Sequence, residues 1–176
     1  VQLIPMGAAR LRVSAFPTVT DSENAQAWKT PQLPQKLYVA TASHCFGYDK
    51  IEGVADGILP ENSNDHNVDR LTYWPNKGTS EWIEGSFDAP RAVSSIGAYW
   101  FDDTGVGYCR TPASWTAFYK DGDEWKPVAL KDGHVYGTLK DQLNEIEFLE
   151  ITTDAVRVEI ELQPEFSGGV LELQIK

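Results

Sequence analysis

The feature that most constrains the fold is an alternation near the C-terminus, where Val156, Val158, Ile160 and Leu162 are interleaved with Arg157, Glu159 and Glu161. Successive strand side chains point to opposite faces, so this pattern buries one face and wets the other, whereas a helix would scatter the same apolar residues around its circumference. Leu171, Leu173 and Ile175 against Glu172 and Gln174 repeat the pattern after Gly168-Gly169. The two runs predict strands that lie side by side, antiparallel. Trp115, Ala117 and Tyr119 alternate ahead of Lys120-Asp121-Gly122-Asp123, and strand character resumes over 125–128. The Asp-Gly pair there predicts a hairpin.

Residues 37–42, 82–87 and 93–101 also read as strands between Pro, Gly, Asn and Asp clusters. Helix signals are thin: 21–29 could make two turns, and the helical spacing of Leu139, Leu143 and Ile146 competes with a strand over 145–151, which we prefer. Six Trp, seven Tyr and seven Phe among 14 Gly and 10 Pro are sheet material. About eight short strands without alternating helices predict an all-β fold, an antiparallel β-sandwich of the jelly-roll kind. No repeat of the length that builds propellers or solenoids is visible.

A chain of 176 residues has room for one domain with an appendage. The segment 1–36 stands apart: Ala9, Leu11 and Val13 alternate with Arg10 and Arg12, then Pro17, Asp21, Ser22, Asn24, Pro31 and Pro34 mark a connector. It reads as the terminal strand of a preceding domain plus linker, or alternatively as an extra edge strand on the same sandwich, with 37–176 as the module proper. The opening at Val1 inside a strand-like run suggests a fragment whose targeting signal lies upstream.

The net charge of −11 excludes a generic nucleic-acid binder, and no apolar run is long enough to cross a bilayer. Cys45 and Cys109 leave one disulfide open. His44, His66 and His134 with two cysteines make no C-x-x-C or H-E-x-x-H, and there is no G-x-S-x-G or Walker A. Glycosidases need two flanking carboxylates, and Asp102-Asp103 and Glu81 with Glu84 are paired acids. Adjacent loop acids read first as solvated turn residues or cation ligands. The oxygen-rich loop 55–69 suggests calcium as a means of ordering it, with a plain polar surface loop as the alternative.

Several motifs together carry a resemblance: Ser63-Asn64-Asp65-His66, Thr72-Tyr73-Trp74-Pro75-Asn76-Lys77-Gly78-Thr79-Ser80-Glu81-Trp82, Tyr99-Trp100-Phe101-Asp102-Asp103, Cys109-Arg110-Thr111-Pro112-Ala113-Ser114-Trp115 and Gln163-Pro164-Glu165-Phe166-Ser167-Gly168-Gly169. Residues 37–176 resemble the C-terminal discoidin-like module (F5/8 type C, galactose-binding-like) of bacterial glycoside hydrolases related to β-L-arabinofuranosidases. The opening, Leu3 to Arg12, is similar to the end of the β-domain preceding that module, which favours the appended strand.

The resemblance implies a jelly roll with structural calcium, the family's ligands falling on Asp56 (in Asp56-Gly57), Thr72 and Glu172. The insertion over 58–71 departs from the family pattern, so that Ser63, Asp65 or Asp69 could replace some loop ligands. It also implies sugar recognition on loops at one end of the sandwich, where His44, Phe46, Trp74, Asn76, Asp102, Asp103, Tyr108, Arg110 and Phe166 supply rings and planar polar groups. Arg110 and Asp102 are the favoured hydroxyl partners, with a structural Arg110 pairing to Asp102 or Asp103 as the alternative, and Phe166 is the favoured exposed ring. Trp82, Trp100 and Trp115 read as core, while Trp74 reads equally as core or platform.

Two functions compete. One is a non-catalytic carbohydrate-binding module that holds a neutral, arabinose- or galactose-containing plant glycan near the catalytic domain of the same polypeptide, outside the cell or in the periplasm. The other is a structural module that packs on that catalytic domain without binding sugar tightly. The acidic charge favours a neutral glycan over a polyanion.

Overall fold

A computed structural model describes residues 37–176. The expectations for 1–36, including the helical turns over 21–29, lie outside the described residues. The strands are β1 (Val39–Ala42), β2 (Leu71–Thr72), β3 (Ser80–Phe101), β4 (Ser114–Asp121), β5 (Glu124–Pro127), β6 (Leu143–Glu161) and β7 (Gly169–Ile175), with a 3-10 turn at Ile51–Ala55. All strand pairings are antiparallel.

Two long strands build the sandwich. The first half of β3 pairs with β1 on one side and with the end of β6 on the other, and β6 in turn pairs with β4 and β4 with β5. The second half of β3 pairs with the start of β6 and with β7, which carries β2. Register shifts between Ser86 and Arg91 and between Val93 and Ser95 separate the halves. Such irregularities bend a strand, so β3 and β6 serve both layers of a β-sandwich.

Two expectations are corrected here. Residues 82–87 and 93–101 belong to one strand. The alternating runs of β6 and β7 are not partners, because β3 lies between them and pairs with both. Alternation says which face is buried, not which neighbour completes the ladder. The hairpin is as expected, with Asp121 opposite Glu124 and Gly122 at φ +63°, a conformation that favours glycine.

Trp100 and Trp115 anchor the core at 1 % and 2 % exposure. Their rings meet edge to face at 5.5 Å, and both indole N–H groups donate to the Gly137 carbonyl, at 3.2 and 2.7 Å. That shared acceptor satisfies the polar handle that each buried indole brings with it. Cys45 and Cys109 are both free thiols.

The strand directions gather one set of loops. β1, the second half of β3 and β6 all run out at the end where β3, β4 and β7 begin. The connections around 43–49, 73–79, 102–113 and 162–168 therefore share that end.

Candidate functional site

The turn after β1 sets one wall of a cavity of about 240 Å³ at this end. The Asp49 N–H donates to the Phe46 carbonyl at 2.8 Å, and the Phe46 N–H donates to the Thr72 carbonyl at 3.0 Å. This tight turn aims Phe46 and Asp49 at the cavity and leaves Tyr48 outside it. Trp74 and Tyr108 form the other wall, stacked at 5.8 Å with an interplanar angle of 29°. Lys77 Nζ lies 4.5 Å from the Tyr108 ring centroid, within cation–π range.

Arg70 enters the cavity from just before β2, its guanidinium 4.6 Å from the Phe101 ring centroid. Its buried Nε has no hydrogen-bond partner. Asp49 Oδ1 stands 3.8 Å away, beyond hydrogen-bonding range, while Oδ2 accepts the Thr72 N–H at 2.9 Å and its hydroxyl at 2.5 Å. A buried, unpaired donor is costly, and a ligand that accepts from Arg70 while donating to Asp49 would relieve it.

The loop from Asp102 to Thr111 is held by its own acids. Asp102 Oδ1 accepts from the Thr104 N–H at 3.0 Å and Lys140 Nζ at 2.9 Å, and Oδ2 accepts from the Thr111 N–H at 3.1 Å. Burial pushes its pKa up, but bonds from Lys140, Thr104 and Thr111 outweigh this and hold it below the usual carboxylate value. Asp103 Oδ1 accepts the Cys109 N–H at 2.8 Å, and a Cβ on Gly107 would lie 2.1 Å from Asp103 Oδ2. Only glycine fits there. Burial, helped by the nearby Asp103 charge, pushes the Cys109 thiol to about 12.

Of the expected sugar contacts, Phe46, Trp74, Asp103 and Tyr108 converge on the cavity. The others are used differently. His44 Nε2 donates to the Trp74 carbonyl at 2.7 Å, and Asn76 donates to the buried carboxylate of Glu81 at 2.7 Å. Asp102 and Asp103 are buried rather than solvated. Arg110 spans the Cys109 and Gly107 carbonyls, at 2.6 and 3.1 Å, and pairs with Asp103 at 3.4 Å. Phe166, expected to be exposed, is half-buried with the Arg110 guanidinium 4.4 Å from its ring centroid. Four potential hydroxyl partners and one ring thus serve as scaffolding, because closing tight loops without helices consumes their planar polar groups.

Arg70 and Asp49 were absent from the expected set. The signal for Arg70 was a lone basic residue in a stretch bearing Asp56, Glu61, Asp65 and Asp69. For Asp49 there was none short of the fold that brings it to Thr72.

A separate feature lies on β7. Glu172 is 0 % exposed, and neither carboxylate oxygen has a hydrogen-bond partner. Burial, then the Asp56 charge, raises its pKa to about 8, partly offset by the facing Gly57 N–H. A buried carboxylate with both oxygens orphaned, beside the charge of the half-buried Asp56, whose Oδ1 also accepts the Ile58 N–H at 2.8 Å, fits a hard cation. The other candidate ligands are committed elsewhere. Thr72 serves Asp49, Ser63 exchanges hydrogen bonds of 2.7 and 2.8 Å with Asp141, and Asp65 accepts the Glu61 and Asn67 N–H groups at 3.1 and 2.9 Å. Asp69 pairs with Lys50 at 3.1 Å. Among the described residues, no three His, Cys, Asp or Glu side chains gather into a metal cage.

No protein-family model matches the chain, and no curated protein matches it. Solved structures share its fold. A structure from the Streptococcus pneumoniae β-galactosidase BgaA superposes with a TM-score of 0.64 at 21 % identity, covering 80 % of this chain and 92 % of that one. The family 32 carbohydrate-binding module of Clostridium perfringens NanJ, in complex with galactose, gives 0.59 at 16 % identity, covering 81 % and 96 %. Chitosan-binding module 1 from a Paenibacillus sp. IK-5 chitosanase/glucanase gives 0.56 at 18 % identity, covering 82 % and 97 %. The fold shared with these structures is an antiparallel β-sandwich of the jelly-roll kind.

Proposed function

We propose that the chain is a non-catalytic carbohydrate-binding module and that the cavity between Phe46 and Trp74 is its sugar site. The observation that carries this reading is the unpartnered Arg70 Nε beside the free Asp49 Oδ1, framed by aromatic rings. A sugar offers an apolar ring face to stack on an aromatic and hydroxyls that both donate and accept, which is the complement of this set.

The ligand is a neutral glycan. Arg70 and Lys77 stand against Asp49 and Asp103 around the cavity, and the net charge of −11 repels polyanions. Together with the motif resemblance, this favours an arabinose- or galactose-containing plant polysaccharide. The module would work outside the cell or in the periplasm, joined to a catalytic domain of the β-L-arabinofuranosidase-related kind.

We also propose a structural calcium held by Glu172 and Asp56. It would supply the positive charge that the two orphaned Glu172 oxygens lack and fix the start of the long loop to β7. The earlier loop candidates Ser63, Asp65 and Asp69 have no part in it.

The test is affinity gel electrophoresis, with calcium present, through arabinan, arabinogalactan and galactan against an inert acidic reference protein. Retardation in one polymer identifies the ligand class. Uniform mobility in all would favour a domain whose partner is the rest of its own polypeptide.

A further inference from the structure

Tyr48 is 91 % exposed, yet its ring centroid lies 5.4 Å from that of Phe46, which lines the cavity. An aromatic this open, beside a ring that forms the wall of the cavity, buries almost nothing and leaves most of its surface free for a ligand to stack on. The turn that holds it is tied down at both ends, by the Asp49 N–H on the Phe46 carbonyl and by the Phe46 N–H on the Thr72 carbonyl. The ring is therefore presented from a fixed backbone. At about 240 Å³ the cavity is below the roughly 300–1,000 Å³ of pockets for drug-sized ligands and suits a single sugar ring.

Resting on the sugar-site reading above, we infer that Tyr48 is a second stacking platform, so that the site reads at least two consecutive sugar residues, one inside the cavity and the next across Tyr48. Phe46 is the shared wall between the two positions. The preferred ligand is then a chain segment, and affinity rises from monosaccharide to oligosaccharide through a contact separate from Arg70.

The test is calorimetric titration of the wild type, Tyr48→Ala and Tyr48→Phe with galactose, galactobiose and galactotetraose, and with arabinose, arabinobiose and arabinotetraose. One aromatic stacking contact corresponds to about three- to tenfold in affinity. The wild type should gain that factor from mono- to disaccharide; Tyr48→Ala should lose the gain with monosaccharide affinity unchanged, and Tyr48→Phe should keep it. Because Tyr48 is exposed, neither substitution threatens the fold. Monosaccharide binding with no gain in the wild type, or a gain that survives Tyr48→Ala, overturns the inference while leaving the sugar site standing. If the wild type binds none of these six sugars, the sugar-site reading fails for these glycans and the second platform falls with it.

Discussion

Arg70 Nε and Asp49 Oδ1 stand 3.8 Å apart, too far for a hydrogen bond, and Arg70 Nε is buried without any other partner. The pair is held open by Thr72, which ties the other Asp49 oxygen, and by Phe101, which supports the guanidinium. Arg70→Ala should therefore lower sugar affinity by about tenfold or more, the scale of a hydrogen bond from a charged donor. Its melting temperature should stay within a few degrees of wild type, because the substitution also removes an unpaired buried donor. Paired calorimetric titration and thermal melts check both halves.

Arg110→Ala should behave in the opposite way. Its guanidinium joins the Gly107 and Cys109 carbonyls to Asp103 and covers Phe166. Losing these bonds should cost about 1–3 kcal/mol of stability. The affinity of the protein that remains folded should change less than in Arg70→Ala. Chemical denaturation beside a binding titration separates the two effects.

Calcium removal should leave a pH signature. Without a cation, folded Glu172 keeps its proton up to about pH 8, whereas the unfolded carboxylate releases it near 4.5. Folding then takes up a proton between these values, so metal-free stability falls as pH rises through that window and levels off above it. With calcium the carboxylate is charged and paired, and the decline should disappear. Melts at pH 5, 6.5 and 8 in chelator and in calcium should diverge by about 5 °C or more at the alkaline end. Parallel curves would remove the cation.

A neutral ligand implies weak salt dependence. Raising the ionic strength from about 0.05 to 0.5 M screens exposed charges strongly, yet binding should change less than about twofold. A steep fall would mean that Lys77 and Arg70 hold an anion.

The fold was legible in the sequence where one face of a strand is wet. Val156 to Leu162 and the Asp121-Gly122 turn declare strand and hairpin directly, and both Trp100 and Trp115 proved to be core. Strand order was not legible, since nothing local to β6 or β7 says that β3 will pass between them. At the site, ring-bearing positions were easier to find than polar ones. Trp74, Phe46 and Tyr108 keep their character wherever the loops fall. Arg110, Asp102, His44 and Asn76 looked equally suited to sugar hydroxyls, but the loop backbone claimed them. Whether a polar side chain faces a ligand or its own loop is decided by hydrogen bonds between segments far apart in sequence, such as Asp49 with Thr72.

The most direct measurement is a two-dimensional NMR titration that follows the Trp indole N–H and Arg Nε–H signals as galacto- or arabino-oligosaccharide is added. The account predicts that the Trp74 indole and Arg70 Nε–H signals move together and saturate at one concentration. Trp100 and Trp115, held on the Gly137 carbonyl, should stay still. Shifts centred on Arg110 with Trp74 and Arg70 silent, or no shifts at millimolar oligosaccharide, would contradict the assignment of this cavity as the sugar site.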